Sequence, residues 1–506
     1  MSGFAVGYGN PDHAILENMM KRMAHRGPHL CGTGGAGRVM MAQNVCRADA
    51  KGDLSGVVLP VQDPIEPERM ICYDGQMGNL EQLARDAGTG EVAFPEEETV
   101  LRLYRRQGAG FLELMDDTIF ALVIADGQDF LAVRDLLGIK TLFYGRKGDT
   151  TYFASELKAL APVTEDIHEF PAGHYMDGSL VPKPFAQLPK LAPKARDENV
   201  DQMVAHVRNL VRRSVRASVD FHVPTASLLS GGMDSSAIAY ESNLWLRERF
   251  GDHQTLKTFA IGMGEGSDIH NARLMADFMG TDHHELIVDL DQLVDALPQV
   301  IYALESFDPS LVRSSVSNFL ISRYAARQGI ELLLSGEGGD EVFCGYLYLK
   351  DYPPEELFEQ QMRCLGFLHN NASLRLDRMN QCHSVKVVAP LISGELLKYA
   401  MQVPPEYKLH PNGDTKVEKW IFRKAYEGDL PEAITSRLKQ EFSQGSGVAD
   451  LLPAHCEKEI TDTELQEAQD KYPIVRSKEE LYYFRLFVDR FGDGPAVKTV
   501  GQWVML

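Results

Sequence analysis

Apolar and polar positions alternate in short runs over roughly the first 186 residues and change to longer, helix-spaced runs after about residue 200. In the first stretch the alternation predicts strands at Phe4–Tyr8, Thr118–Asp126, Phe130–Arg134, Thr141–Gly145 and Thr151–Ser155. The last four are closely spaced, which favours antiparallel pairing, because parallel neighbours need a long crossover. Helices are predicted at His13–His25 and Thr99–Met115, the second broken near Gly108 and Gly110. Residues 187–199 carry two prolines and three basic residues without periodicity and read as a linker.

Beyond the linker, a helix over 200–219 leads into alternating strands and helices. The strands are Thr225–Leu229, Leu256–Met263, His284–Asp289 and Ile330–Leu334, and the last of them closes the series. Helices start at Ser235 and run over Asn271–Gly280, with a further pair before Ile330. This rhythm predicts a parallel sheet covered on both faces. From about Pro353 onward the pattern is helical. The expected organisation is therefore a domain over 1–186, a linker over 187–199 and a second domain over 200–506.

Composition narrows the function. Of the 506 residues 44% are apolar and 24% charged, enough to build two cores. The 51 Lys plus Arg against 72 Asp plus Glu leave a net charge of −21, which argues against a nucleic-acid or anionic-membrane partner. No apolar run reaches membrane-spanning length, and the N-terminus has no basic, then apolar, signal pattern. The seven cysteines are scattered and form no CxxC pair, so a reducing cytoplasmic setting is expected, without disulfides or a zinc site.

The chemistry concentrates at Thr225–Ser236, TASLLSGGMDSS. An apolar strand running into Ser230-Gly231-Gly232 and a helix start brings backbone N–H groups and the positive end of a helix to phosphate oxygens. Ser230, Ser235 and Ser236 are candidate phosphate donors, and Asp234 is a candidate Mg²⁺ ligand.

That string resembles the pyrophosphate loop of N-type ATP pyrophosphatases, and the half around it is similar to the asparagine synthetase family. The matching segments are Ser335–Phe343 with Gly345-Tyr346, Lys416–Lys419, Arg437–Ser443, and Phe259–Gly262 with Ser267-Asp268. The resemblance implies a two-domain fold: an N-terminal-nucleophile (Ntn) hydrolase-like antiparallel β sandwich with helices, then a parallel-sheet α/β ATP pyrophosphatase (HUP-like) domain with a helical C-terminal part. It implies a ligase that adenylates a carboxylate with release of pyrophosphate and then amidates it, releasing AMP. ATP and Mg²⁺ are the implied cofactors, with Asp234 and Asp340 as metal ligands. Leu228, Ile261, Ser335 and Gly336 fall at ATP-contacting positions. Lys439 is implied to neutralise phosphate charge and Glu337 to accept a proton from the attacking nitrogen. Arg313 and Arg378 are implied acceptor-binding residues.

The N-terminal half resembles the family's glutaminase through His25–Pro28, Asp53–Gly56, Arg134–Lys140, Ser155–Lys158 and Pro171–His174. Its functional positions depart. Ser2 stands where the family has its nucleophilic Cys, and a hydroxyl is a far weaker nucleophile than a thiolate. The oxyanion stretch reads Asp74-Gly75-Gln76-Met77-Gly78-Asn79, with a carboxylate in place of the first Asn of the family's string. Val45 replaces a glutamine-binding Arg, and Glu96 or Glu97 occupies the position of the substrate-amine Asp. The site is expected to be degenerate, with ammonia taken free or from a separate glutaminase. The family's E-A-R-V-P-F-L-D string reads Lys386–Ser393, KVVAPLIS, so a specialised ligase with another acceptor or amine is an alternative, as is an inert nucleotide-binding homologue. Pairing as a homodimer is among the family's habits.

Overall fold

The computed structural model describes residues 2–52, 54–264, 266–440 and 442–503. Two six-stranded antiparallel sheets build the N-terminal half. One runs in the order Asp166–Glu169, Phe143–Lys147, Thr150–Ala154, Ser2–Tyr8, Val39–Val45, Leu30–Ala36. The other runs Lys183–Pro184, His174–Met176, Asp129–Arg134, Thr118–Asp126, Arg69–Met77, Val61–Gln62. The period-2 alternation explains the layering. Phe4, Val6 and Met41 of the first sheet meet Cys72, Val123 and Ala132 of the second in one apolar core. The outer face of the second sheet carries Ile71, Leu122 and Ile124 against helix Pro95–Gln107. The predicted antiparallel sandwich is thus observed. The alternation missed the Arg69–Met77 strand, whose YDGQM end carries no β-branched residue.

A five-stranded parallel sheet organises the second half, in the order Asp282–Ile287, Lys257–Gly262, Thr225–Leu228, Leu332–Leu334, Lys386–Val388. Helices cover both faces, with Val207, Ala237 and Met275 on one side and Leu293, Val316 and Met379 on the other. The series does not close at Leu334. Lys386–Val388 adds a fifth strand, only three residues long, after the intervening helical stretch. So short a run gives no periodicity to read. No described helix is long and apolar enough to cross a membrane.

The two halves meet across buried charge. Arg26 donates to Asp74 at 2.6 Å, to Glu156 at 2.8 Å and to Asp377 at 3.1 Å. Lys158 joins Glu156 at 2.6 Å and Glu305 at 3.0 Å, and Arg378 joins the same two carboxylates at 2.6 and 2.8 Å. Lys140 reaches Asp377 at 3.0 Å and Asp74 at 3.5 Å. Arg26, Lys140, Lys158 and Arg378 therefore face Asp74, Glu156, Glu305 and Asp377 in mutual compensation. Burial pushes the Asp74 carboxyl up, but the pull of Lys140 and Arg26 outweighs it and holds it well below the carboxylate range. Glu156 is held low in the same way, by His25, Lys158 and Arg378.

Removing one partner strands a buried charge, so Asp377→Ala is expected to cost about 3–5 kcal/mol of stability. An aspartate depressed in the fold stabilises fully above its unfolded pKa of about 4, and that contribution is lost as pH falls towards the folded value. The stability gap between wild type and Asp74→Asn, read by chemical unfolding, should be wider at pH 7 than at pH 3 and keep shrinking as pH falls further. A gap of equal size at both would contradict the assignment.

Candidate adenylation site and the N-terminal cavity

The parallel sheet reverses its strand order beside Thr225–Leu228: Lys257–Gly262 flanks it on one side and Leu332–Leu334 on the other. Ligands bind at the carboxyl ends of strands at such a switch point. Here the ends of the two central neighbours release the loops Ser230–Gly232 and Ser335–Gly338. A cavity of about 550 Å³ opens between them. Leu228 and Ile261 give it an apolar side, and Ser230, Gly232, Asp234, Ser235, Ser335 and Gly336 line its floor. Glu337, Asp340, Arg313 and Lys439 reach it as well.

The two loops interlock. A Cβ on Gly336 would lie 2.4 Å from the Ser235 amide nitrogen, so only glycine allows this approach. Within the first loop the Ser230 and Ser235 hydroxyls stand 3.0 Å apart, and Ser230 Oγ accepts the Gly232 N–H at 3.3 Å. Gly231 and Ser236 do not line the cavity. Gly231 packs against Asn271, and Ser236 is wholly buried inside its helix, Met233–Phe250. The reading of Ser236 as a phosphate donor is therefore corrected: four residues after Gly232 and three past the first residue of the helix, its side chain has turned into the core.

Charge in the cavity is arranged as pairs. Lys419 bridges Asp234 and Asp340, the latter at 2.6 Å, and Lys439 holds the other oxygen of Asp340 at 2.5 Å. Asp340 is driven well below the carboxylate range by both lysines against the opposing effect of burial. Lys439 is raised, with burial opposing and Asp340 and Asp234 prevailing. Lys419 was visible only as the end of the Lys416–Lys419 string. Its backbone adopts a left-handed conformation at φ +54, and Gly345 leaves its side chain room, since a Cβ there would fall 1.9 Å from Lys419 Cε. Arg437 donates to Asp268 at 2.6 Å and to the Ser230 carbonyl at 3.1 Å. Arg375 donates to Glu337 at 2.5 Å.

Mg²⁺ fits this donor set. Two hard carboxylates face one another across a single ammonium, and the buried Oδ1 of Asp234 accepts no hydrogen bond. Substrate phosphates would complete the coordination that Mg²⁺ favours. Among the described residues no three His, Cys, Asp or Glu side chains gather as a self-sufficient metal site.

The acceptor assignments separate. Arg313 lines the cavity and is held bidentate by Glu479 at 2.8 and 2.5 Å. Arg378 does not: it is 1% exposed and committed to Glu156 and Glu305 at the junction of the halves, where the sequence could not place it. Arg375, one turn earlier on helix Ala372–Gln381, is the arginine that faces the cavity. The KVVAPLIS departures also lie elsewhere. Lys386 pairs with Asp49 at 2.8 Å and lines the N-terminal cavity, and Val388 is buried in the sheet. Neither of them lines the adenylation cavity.

The N-terminal cavity, about 1020 Å³, is lined by Ser2, Gly75, Glu96 and Glu97 among others. Ser2 is 2% exposed, and its hydroxyl is spent on the Tyr73 carbonyl. Its N–H donates to Asp74 at 3.2 Å, and Arg26 donates to its carbonyl at 2.9 Å. The Asn79 amide donates to Leu114 at 3.3 Å instead of facing Ser2. Val45 is buried opposite Ser2 in the ladder and offers no cation. Burial and Glu96 push Glu97 up to about 8. Two smaller cavities lie between this one and the adenylation cavity and share wall residues with them: Gln76 and Gly78 line the N-terminal cavity and the next, Ile119 and Ile392 that one and the third, and Gly338 the third and the adenylation cavity.

Sequence comparison agrees with this division. The family model described as "Asparagine synthase" matches residues 206–363 and 353–496, and the one described as "Glutamine amidotransferase domain" matches residues 1–204. A probable asparagine synthetase [glutamine-hydrolyzing] of Schizosaccharomyces pombe is 33% identical over 96% of this chain and 92% of its own. The asparagine synthetase [glutamine-hydrolyzing] of Zea mays is 30% identical over 97% and 85%, and asparagine synthetase [glutamine-hydrolyzing] 3 of Arabidopsis thaliana is 34% identical over 94% and 84%. With its loops, cavity and full-length relatives in agreement, the chain belongs to the asparagine synthase family.

Proposed function

We propose that this protein is an ATP-dependent carbon–nitrogen ligase that adenylates a carboxylate, aspartate or a close relative, and amidates it with ammonia. The observation that carries this reading is the lysine pair at Asp234 and Asp340, just beyond the ends of two adjacent parallel strands: Lys419 bridges both aspartates, and Lys439 holds the second oxygen of Asp340. Leu228 and Ile261 take the adenine side, and the Ser230–Ser235 loop takes the pyrophosphate. Mg²⁺ held by Asp234 and Asp340 would draw charge from the phosphate oxygens. Lys439 and Lys419 hold the negative charge that grows as an acceptor oxygen attacks the α-phosphorus and pyrophosphate leaves. Ammonia then attacks the acyl carbon, AMP departs, and Glu337, oriented by Arg375, takes the proton.

The same reading makes residues 1–186 a scaffold, 187–199 a linker and 200–506 the ligase, and leaves glutamine unhydrolysed. The named relatives are glutamine-hydrolysing, but here the Ser2 hydroxyl is occupied and Asp74, at the position of the family's oxyanion-stretch Asn, carries a carboxylate that accepts the Ser2 N–H and pairs with Arg26. Ammonia arrives from solution or from a separate glutaminase, with the line of small cavities as its route.

Pyrophosphate release from MgATP with ammonium chloride and L-aspartate or L-glutamate tests the ligase. Asp234→Ala or Lys439→Ala should lower it by about 10²–10³-fold, the scale of losing a preorganised electrostatic group. Release that persists in both variants would contradict the site. With glutamine alone or with ATP no glutamate is expected, and Ser2→Cys by itself should not create a glutaminase while Asp74 remains. Glutamine hydrolysis by the wild type that Ser2→Ala abolishes would overturn the scaffold assignment.

A further inference from the structure

One wall of the adenylation cavity belongs to none of the motifs. Trp503 lines it, beside Tyr346 and Tyr348. Its ring centroid lies 6.1 Å from that of Tyr346 and 5.2 Å from that of Phe367. The backbone that delivers it is fastened at several points. Asp308 accepts the Trp503 N–H at 2.9 Å, and Arg476 donates to the Trp503 carbonyl at 3.2 Å. Gln502 donates to Glu480 at 2.7 Å and to the Ile474 carbonyl at 3.0 Å. Gly501 lies so close to Asn370 that a Cβ would come within 2.6 Å of that side chain.

Asp308 is the common anchor. It is 1% exposed, and its Oδ1 caps helix Pro309–Arg327 through the N–H groups of Ser310 and Leu311 at 3.1 and 3.2 Å. Its Oδ2 takes Trp503 and Arg476. The helix so capped carries Arg313, Asn318 and Ile321 into the cavity. Trp503 is thus registered to the acceptor side of the site by the same carboxylate that fixes the helix bearing Arg313.

We propose that Trp503, held by the 500–503 segment, is a wall of the acceptor subsite that keeps water from the acyl-adenylate. The proposal rests on the ligase reading above. An acyl-adenylate has a wasteful alternative to amidation: water adds to its acyl carbon, the bond to the phosphate oxygen breaks, and free acid and AMP leave. A packed indole that covers the acceptor end excludes that water, while ammonia would enter past Gly338, which the cavity shares with its neighbour. Trp503 is a positioning and shielding residue; it moves no proton.

The test counts amide formed per AMP released with MgATP, ammonium chloride and L-aspartate. Wild type should form one amide per AMP. Trp503→Ala, and independently a chain ending at Thr499, should release AMP in excess of amide several-fold, continue to release AMP without ammonia, and raise the aspartate KM more than the ATP KM. Trp503→Phe should restore most of the coupling, which a general loss of folding would not allow. Coupling in Trp503→Ala and in the shortened chain equal to wild type overturns the shielding role and leaves the ligase intact. A wild type that releases no pyrophosphate with any carboxylate overturns both.

Discussion

The buried charge array between the halves is the constraint from which both cavities follow. A guanidinium or carboxylate withdrawn from water is tolerable only with its partners in place. Arg26 therefore fixes Ser2, Asp74, Glu156 and Asp377 relative to one another across the domain junction. Glu305 extends the array by accepting the backbone N–H groups of Leu157 and Lys158 at 2.9 and 2.7 Å. The carboxylate at 74 is what makes four anions balance four cations. The same carboxylate takes the Ser2 N–H. On the proposed reading, a change that disfavours an oxyanion at this position serves the junction instead, and the N-terminal domain acts as a scaffold.

The adenylation cavity follows the same logic with a different purpose. Lys439 rests on Asp340, Lys419 between Asp234 and Asp340, Arg437 on Asp268 and Arg375 on Glu337. Each cation has a resting partner, so the cavity is stable without substrate and can exchange those partners for phosphate and carboxylate oxygens. This resolves the tension between a net charge of −21 and an anionic nucleotide. On the ligase reading, the nucleotide would meet a small set of enclosed cations within an acidic chain.

Much of this was legible in the chain. The Thr118–Asp126 strand is observed over the residues its alternation predicts, and the TASLLSGGMDSS string marks the switch point of the sheet. Lys386–Val388 was missed because three residues carry no period. Arg378 was misplaced because spacing along a helix does not say which neighbour each face meets: Arg375 turns to the cavity and Arg378 to the junction. Lys419 needed a left-handed backbone to reach two aspartates, and Trp503 needed a long-range anchor on Asp308. Both depend on tertiary contacts that no local pattern encodes.

The central claim is that the acceptor carboxylate attacks ATP at the α-phosphorus within this cavity. An acceptor labelled with ¹⁸O in its carboxylate, turned over with MgATP and ammonium and analysed by mass spectrometry, tests it most directly. The account predicts one ¹⁸O in each AMP and none in pyrophosphate. AMP free of label, or label recovered in an inorganic phosphate product, would contradict it.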